Sequence, residues 1–178
     1  MKRFILFIFF WLMAIGGYAQ NLQSESGYIK FFSSALIEDI TAENEQASAL
    51  FNLKTGEVVF LIPIAGFEFR KSLMQEHFNE NYMESDIYPE AYFKGKISGF
   101  DPSQPENNAI AEGELTIHGV SSEVKIPGKL FFIDGQVRME SVFDVKLEDY
   151  QIEIPKLMFQ KIAEVVEVTV RFEFQNKE

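Results

Sequence analysis

Apolar and polar residues alternate with a period of two over most of this chain. Val166, Val168, Val170, Phe172 and Phe174 alternate with Glu167, Thr169, Arg171 and Glu173, as in a strand with one buried and one wet face. Ala91, Phe93, Gly95 and Ile97 alternate in the same way with Tyr92, Lys94 and Lys96. Leu115 and Ile117 stand opposite Glu114, Thr116 and His118, and Val124 and Ile126 opposite Glu123 and Lys125. Turn signals separate these runs. Asp134-Gly135, between "KLFF" and "QVRMESVF", is a short-hairpin signal, and "HGVSS" reads as another turn. Asp101–Asn108 reads as an exposed loop, and Thr55-Gly56 as a turn feeding a strand whose end Pro63 confines to an edge or bulge. About eight strands are expected.

Two stretches break the alternation. Lys71–Met83 places Leu73, Met74, His77, Phe78 and Tyr82 on one broad face at helical spacing. Pro155–Ala163 brings Leu157, Met158, Phe159 and Ile162 together more weakly. Both are short and need a sheet beneath them. Antiparallel strands with solvated outer faces and few helices indicate a barrel or a sandwich. Closing the sheet hides every edge, which favours the barrel.

The amino terminus bears on compartment rather than fold. Lys2 and Arg3 precede an apolar run from Phe4 to Ile15, followed by Gly17-Tyr18-Ala19. The run is too short to span a bilayer and has the layout of a secretory signal peptide. Residues 1–19 are therefore expected to be removed, leaving 20–178 as one domain, exported to the periplasm or beyond and not an integral membrane protein after processing.

Charge and composition then exclude function classes. The chain carries a formal net charge of −11, more negative once Lys2 and Arg3 are gone. Such a surface repels nucleic acid and anionic bilayers. There is no cysteine, so disulfides, thiolate metal sites, a cysteine nucleophile and a cysteine-linked lipid anchor are all ruled out. Phenylalanine occurs 19 times, enough either to fill a core or to line an apolar hollow. An exposed strand edge or apolar rim leaves a homodimer open.

The polar residues offer no catalytic constellation. His77 and His118 are the only histidines, and a zinc site normally takes at least three protein ligands. Glu76, Glu80 and Glu84 are near by composition alone. His77 reads as an imidazole hydrogen-bonded between helix and barrel rim, and His118 as a turn stabiliser. Glu80, Glu84, Asp86 and Glu90 have nothing to fix their separation, as glycosidic chemistry would need, and read as a solvated face. Ser121-Ser122 lack a nucleophile-elbow context, and no phosphate or dinucleotide fingerprint occurs. No catalytic residue, metal ligand, cofactor or enzyme activity is expected. Tyr150 in "LEDYQIEIP" reads as structural.

"FRKSLMQEHFNENYMESDIYPEAYFKGKI", "AEGELTIHGVSSEVKIPG" and "LEDYQIEIP" together resemble the YceI-like family of exported bacterial proteins related to a polyisoprenoid-binding protein. The likeness runs from about Gly27 to Phe174. It implies an all-β fold, an eight-stranded antiparallel lipocalin-like barrel with one or two short helices, holding a long apolar lipid such as an isoprenoid, quinone or fatty acyl chain. If the barrel is hollow, its inward faces supply Phe60, Phe69, Phe93, Ile97, Leu115 and Ile117. Phe143, Val168 and Phe172 join them, with Leu73, Met74 and Phe78 from the helix closing one end. The alternative is a filled barrel serving as a structural or protein-interaction module without a small-molecule ligand.

Overall fold

The computed structural model describes residues 21–34, 39–154 and 163–175. Ten antiparallel strand segments make one sheet. They are β1 (Asn21–Ser33), β2 (Ile40–Asn44), β3 (Ser48–Asn52), β4 (Glu57–Pro63), β5 (Glu68–Phe69), β6 (Glu90–Ser98), β7 (Glu106–Ile117), β8 (Val120–Ile133), β9 (Gln136–Lys146) and β10 (Val165–Gln175). Eight follow one another in the order β10-β9-β8-β7-β6-β4-β3-β1, and β1 pairs back onto β10. The ring is closed, so none of the eight strands stands at an outer edge of the sheet.

β2 and β5 are continuations rather than further staves. Strand β1 pairs Gln23 with Leu50 on β3 and, farther along, Ile29 with Asn44 on β2. Asn44 bridges this break: its Nδ2 donates to the Pro63 carbonyl at 2.7 Å and its Oδ1 accepts from the Gln46 N–H at 2.8 Å. β4 ends at Pro63, where the chain enters a tight turn at Ile64–Gly66.

Two hairpins use consecutive left-handed residues, as two-residue type I′ loops require. His118 and Gly119 have φ of 52° and 72°, and Asp134 and Gly135 have φ of 51° and 78°. The expected loop at 101–108 is shorter than its composition suggested, because Glu106 already begins β7. Asn107 is buried there; its Oδ1 accepts from the Asp101 N–H and its Nδ2 donates to the Gln104 carbonyl. Thr116, expected on the wet face, is also buried, its hydroxyl 2.7 Å from that of Ser121.

The interior is packed at one end. Leu22, Phe51, Leu130, Val137 and Phe174 are buried there, and the rings of Phe100 and Phe174 lie 5.7 and 6.1 Å from that of Phe51. At the seam between β1 and β10, Gly27 faces Phe172. A Cβ at Gly27 would come within 2.4 Å of the Phe172 ring and 2.3 Å of the Ala47 carbonyl oxygen, so only glycine lets the strands meet.

The opposite end is covered by the expected helix, in altered form. Helix α1 (Ser72–His77) continues as a wider π turn at Phe78–Tyr82. Of the second helical candidate, at 155–163, only Ala163 is described, and the expected leader at 1–19 lies outside the described residues.

The wall is not zipped throughout. β7 and β8 pair from Ile117↔Val120 to Glu106↔Phe131, and β9 and β10 pair along the whole of β9. Between β8 and β9 the pairing runs only from Ile133↔Gln136 to Lys129↔Glu140. The next residues along β8 are Gly128 and Pro127. Proline has no N–H to give to a ladder and is confined to edges and bulges. One side-chain bond spans the start of the gap: the Ser141 hydroxyl donates to the Pro127 carbonyl at 2.6 Å.

Candidate functional site

Between the packed end and the helix lies a cavity of about 530 Å³. Its walls follow from the strand period. Ile29 and Phe31 come from β1, Phe60 and Ile62 from β4, and Phe93 and Ile97 from β6. Leu115 and Ile117 come from β7, Phe143 from β9, and Val168 and Phe172 from β10. Phe69, Leu73, Met74 and Phe78 border the helix-covered end. All twelve side chains expected to face a hollow interior thus line one, and the structure brings them together around a single space.

Their environments differ. Phe172 is fully buried, with its ring 4.7 Å from Phe60. Leu73, by contrast, is 59% exposed and stands at the rim. Sequence reasoning missed several lining residues, notably Ile29, Phe31 and Phe67. Alternation in "YIKFFS" (Ile29 and Phe31 against Tyr28, Lys30 and Phe32) was the signal available for two of them.

An aromatic cluster forms the lid. Phe31 lies 5.5, 5.7 and 5.6 Å from Phe67, Phe69 and Phe78 between ring centroids. Phe78 in turn lies 5.5 Å from Phe67 and 5.0 Å from Phe69. Offset and tilted rings at these separations attract one another beyond simple area burial. The cluster joins β1, the segment before α1 and the π turn, which explains how so short a helix holds its place.

Polar groups are sparse in the wall. Lys71, His77 and Tyr82 lie at the helix end, Ser33 on β1, and Lys129, Glu140 and Ser141 on β8 and β9. Burial raises the Tyr82 hydroxyl pKa above its ordinary value, so that group is a neutral donor. His77 was expected to hydrogen-bond between helix and rim. Instead it is half-buried beside the cavity, with no hydrogen-bond partner among the described residues.

His118 is a fixed part of the scaffold. Its Nε2 lies 2.8 Å from Glu84 Oε2, and its ring meets Tyr88 edge-on at 4.6 Å. These contacts tie the β7–β8 hairpin to the segment after the π turn. Tyr150 is buried on the turn Leu147–Tyr150 beside β8. Among the described residues, no three acidic, histidine or cysteine side chains come together as metal ligands, and no helix is long and apolar enough to cross a membrane.

Solved structures share this architecture. Burkholderia cenocepacia BcnA is similar with a TM-score of 0.70 at 17% identity, over 83% of this chain and 95% of that one. A polyisoprenoid binding domain from Saccharophagus degradans, implicated in plant cell wall breakdown, gives 0.71 at 15% identity, over 89% and 99%. The Campylobacter jejuni YCEI protein gives 0.62 at 16%, over 75% and 82%. No curated protein matches the chain. The model of the YceI-like domain matches residues 21–174, essentially the whole barrel from its first strand to its last. The chain belongs to the YceI-like family.

Proposed function

We propose that the protein binds and sequesters a long apolar lipid, such as an isoprenoid, a quinone or a fatty acyl chain, inside the barrel. The cavity carries this reading. Protein interiors pack as densely as organic crystals and leave few voids larger than a water. A hollow of about 530 Å³ lined by aliphatic and aromatic side chains is therefore a receptacle, of the size typical for small-molecule sites. The Saccharophagus degradans relative, a polyisoprenoid binding domain, supports the ligand class.

Affinity would come from burial alone, without catalysis, metal or cofactor. A chain burying about 300 Å² of apolar surface gains roughly 7 kcal/mol. Association costs about 4–15 kcal/mol, so short ligands are rejected and long ones held. In this reading residues 1–19 export the chain, 20–178 form the carrier, and the periplasm is its site of action. The acidic surface disfavours nucleic acid as a partner.

Calorimetric titration with geranylgeraniol, a long-chain quinone and palmitate tests the proposal. Saturable one-to-one binding with a negative heat-capacity change is expected for at least one class. No binding of any of the three would favour the interaction-module reading.

A further inference from the structure

The geometry points to the unzipped stretch between β8 and β9 as a second opening of the cavity, through which the polar end of an amphiphilic ligand leaves the barrel while its chain stays inside. This rests on the lipid-binding reading above. A second hollow, of about 320 Å³, occupies this stretch. Continuing the β8–β9 register past Lys129↔Glu140 would set Ile126 against Phe143, Lys125 against Asp144 and Val124 against Val145. Those six residues line the second hollow. It lies where a backbone ladder would otherwise run.

The two spaces share a wall. Leu115, Ile126, Phe143 and Val145 border both. Their character changes across that shared wall, however. The main cavity is largely apolar, with Lys129, Glu140 and Ser141 on its wall where the β8–β9 pairing stops, whereas the outer one is also bordered by Lys125, Asp144, Lys146 and Asp149, all exposed. An amphiphile lying across the boundary keeps its chain among phenylalanines and its polar group in water, with neither end paying a desolvation penalty. At the helix-covered end the way out passes the Phe31, Phe67, Phe69 and Phe78 cluster, which suits an apolar terminus better.

The gap also has a cover. Tyr150 borders the outer hollow and is 3% exposed, on a turn that packs against β8 and ends at Gln151 with φ of 55°. Through a zipped stretch such as β7–β8, admitting a ligand would break ladder hydrogen bonds. Here only side-chain packing and the Ser141–Pro127 bond stand in the way.

Photoaffinity labelling of the full chain reads the outcome directly. The probe is geranylgeraniol carrying a benzophenone on its oxygen, competed with excess geranylgeraniol, with adducts mapped by peptide mass spectrometry. Competable adducts in 124–126, 143–146 or at Tyr150 are expected to exceed those in 71–82 by about tenfold. Equal or greater labelling of 71–82 would overturn the lateral opening and leave the carrier intact. Absence of competable labelling anywhere, together with absence of calorimetric binding, would overturn both.

Discussion

Phe31 and Phe78 stack with ring centroids 5.6 Å apart and planes inclined by 21°. One ring belongs to β1 and the other begins the π turn, so the contact fixes the helical lid to the barrel. The same two rings line the cavity. Lid position and cavity lining are therefore properties of one cluster.

Phe78→Ala should cost about 2–3 kcal/mol, below the usual Phe→Ala loss for a full core site because Phe78 is only half-buried. Lipid affinity should fall by about tenfold or more. Thermal unfolding and calorimetric titration read the two effects separately.

The hollow can be probed by filling it. Ala111 lines the cavity, and its ladder partners Ile97 and Ile126 do as well. Adding a large side chain to a packed core costs about 1–3 kcal/mol. In a hollow barrel, Ala111→Phe should cost less than about 1 kcal/mol while abolishing lipid binding. A large loss of stability would indicate that the interior has no spare room.

Ser141→Ala removes the one side-chain bond spanning the start of the β8–β9 gap. The expected loss is about 1 kcal/mol, as for a single hydrogen bond. Amide exchange should accelerate in the adjoining β8–β9 pairs, at 129–131 and 138–140, but not in the β6–β7 ladder. Uniform acceleration would instead mean that the whole barrel is weakened.

Burial, helped by the negative charge of Asp149, raises the Tyr150 hydroxyl pKa above its ordinary value of 10.0. The folded protein then keeps a proton that the unfolded chain has lost. This contribution to stability is complete below pH 10 and disappears as pH rises through the folded-state pKa. Tyr150→Phe should therefore show a shallower fall in stability on the alkaline side than the parent protein. Tyr28 and Tyr82 are also raised, chiefly by burial, and should preserve part of the slope.

The closed barrel was legible because its strands alternate strictly and its hairpin loops carry Asp134-Gly135 and His118-Gly119. The inward faces were legible for the same reason, since period two assigns Phe93, Leu115 and Phe172 to one side once register is set. Other features depend on tertiary context. The π turn at Phe78–Tyr82 is stabilised by rings on β1 and before α1, which no local pattern reveals. Asn107 and Thr116 look like surface residues until Asp101 and Ser121 supply their partners. The β8–β9 gap did have a local sign, Pro127-Gly128 within an otherwise alternating strand. That sign marks an interrupted ladder but not which neighbouring strand is lost.

The central claim is that the barrel carries an apolar molecule, and native mass spectrometry of the protein purified from cells expressing the full chain, with organic extraction of the same sample, tests it most directly. The account predicts a bound mass of some hundreds of daltons that extracts as an apolar chain and is absent from Ala111→Phe. A clean apo mass, unchanged after incubation with isoprenoids, quinones and fatty acids, would contradict it.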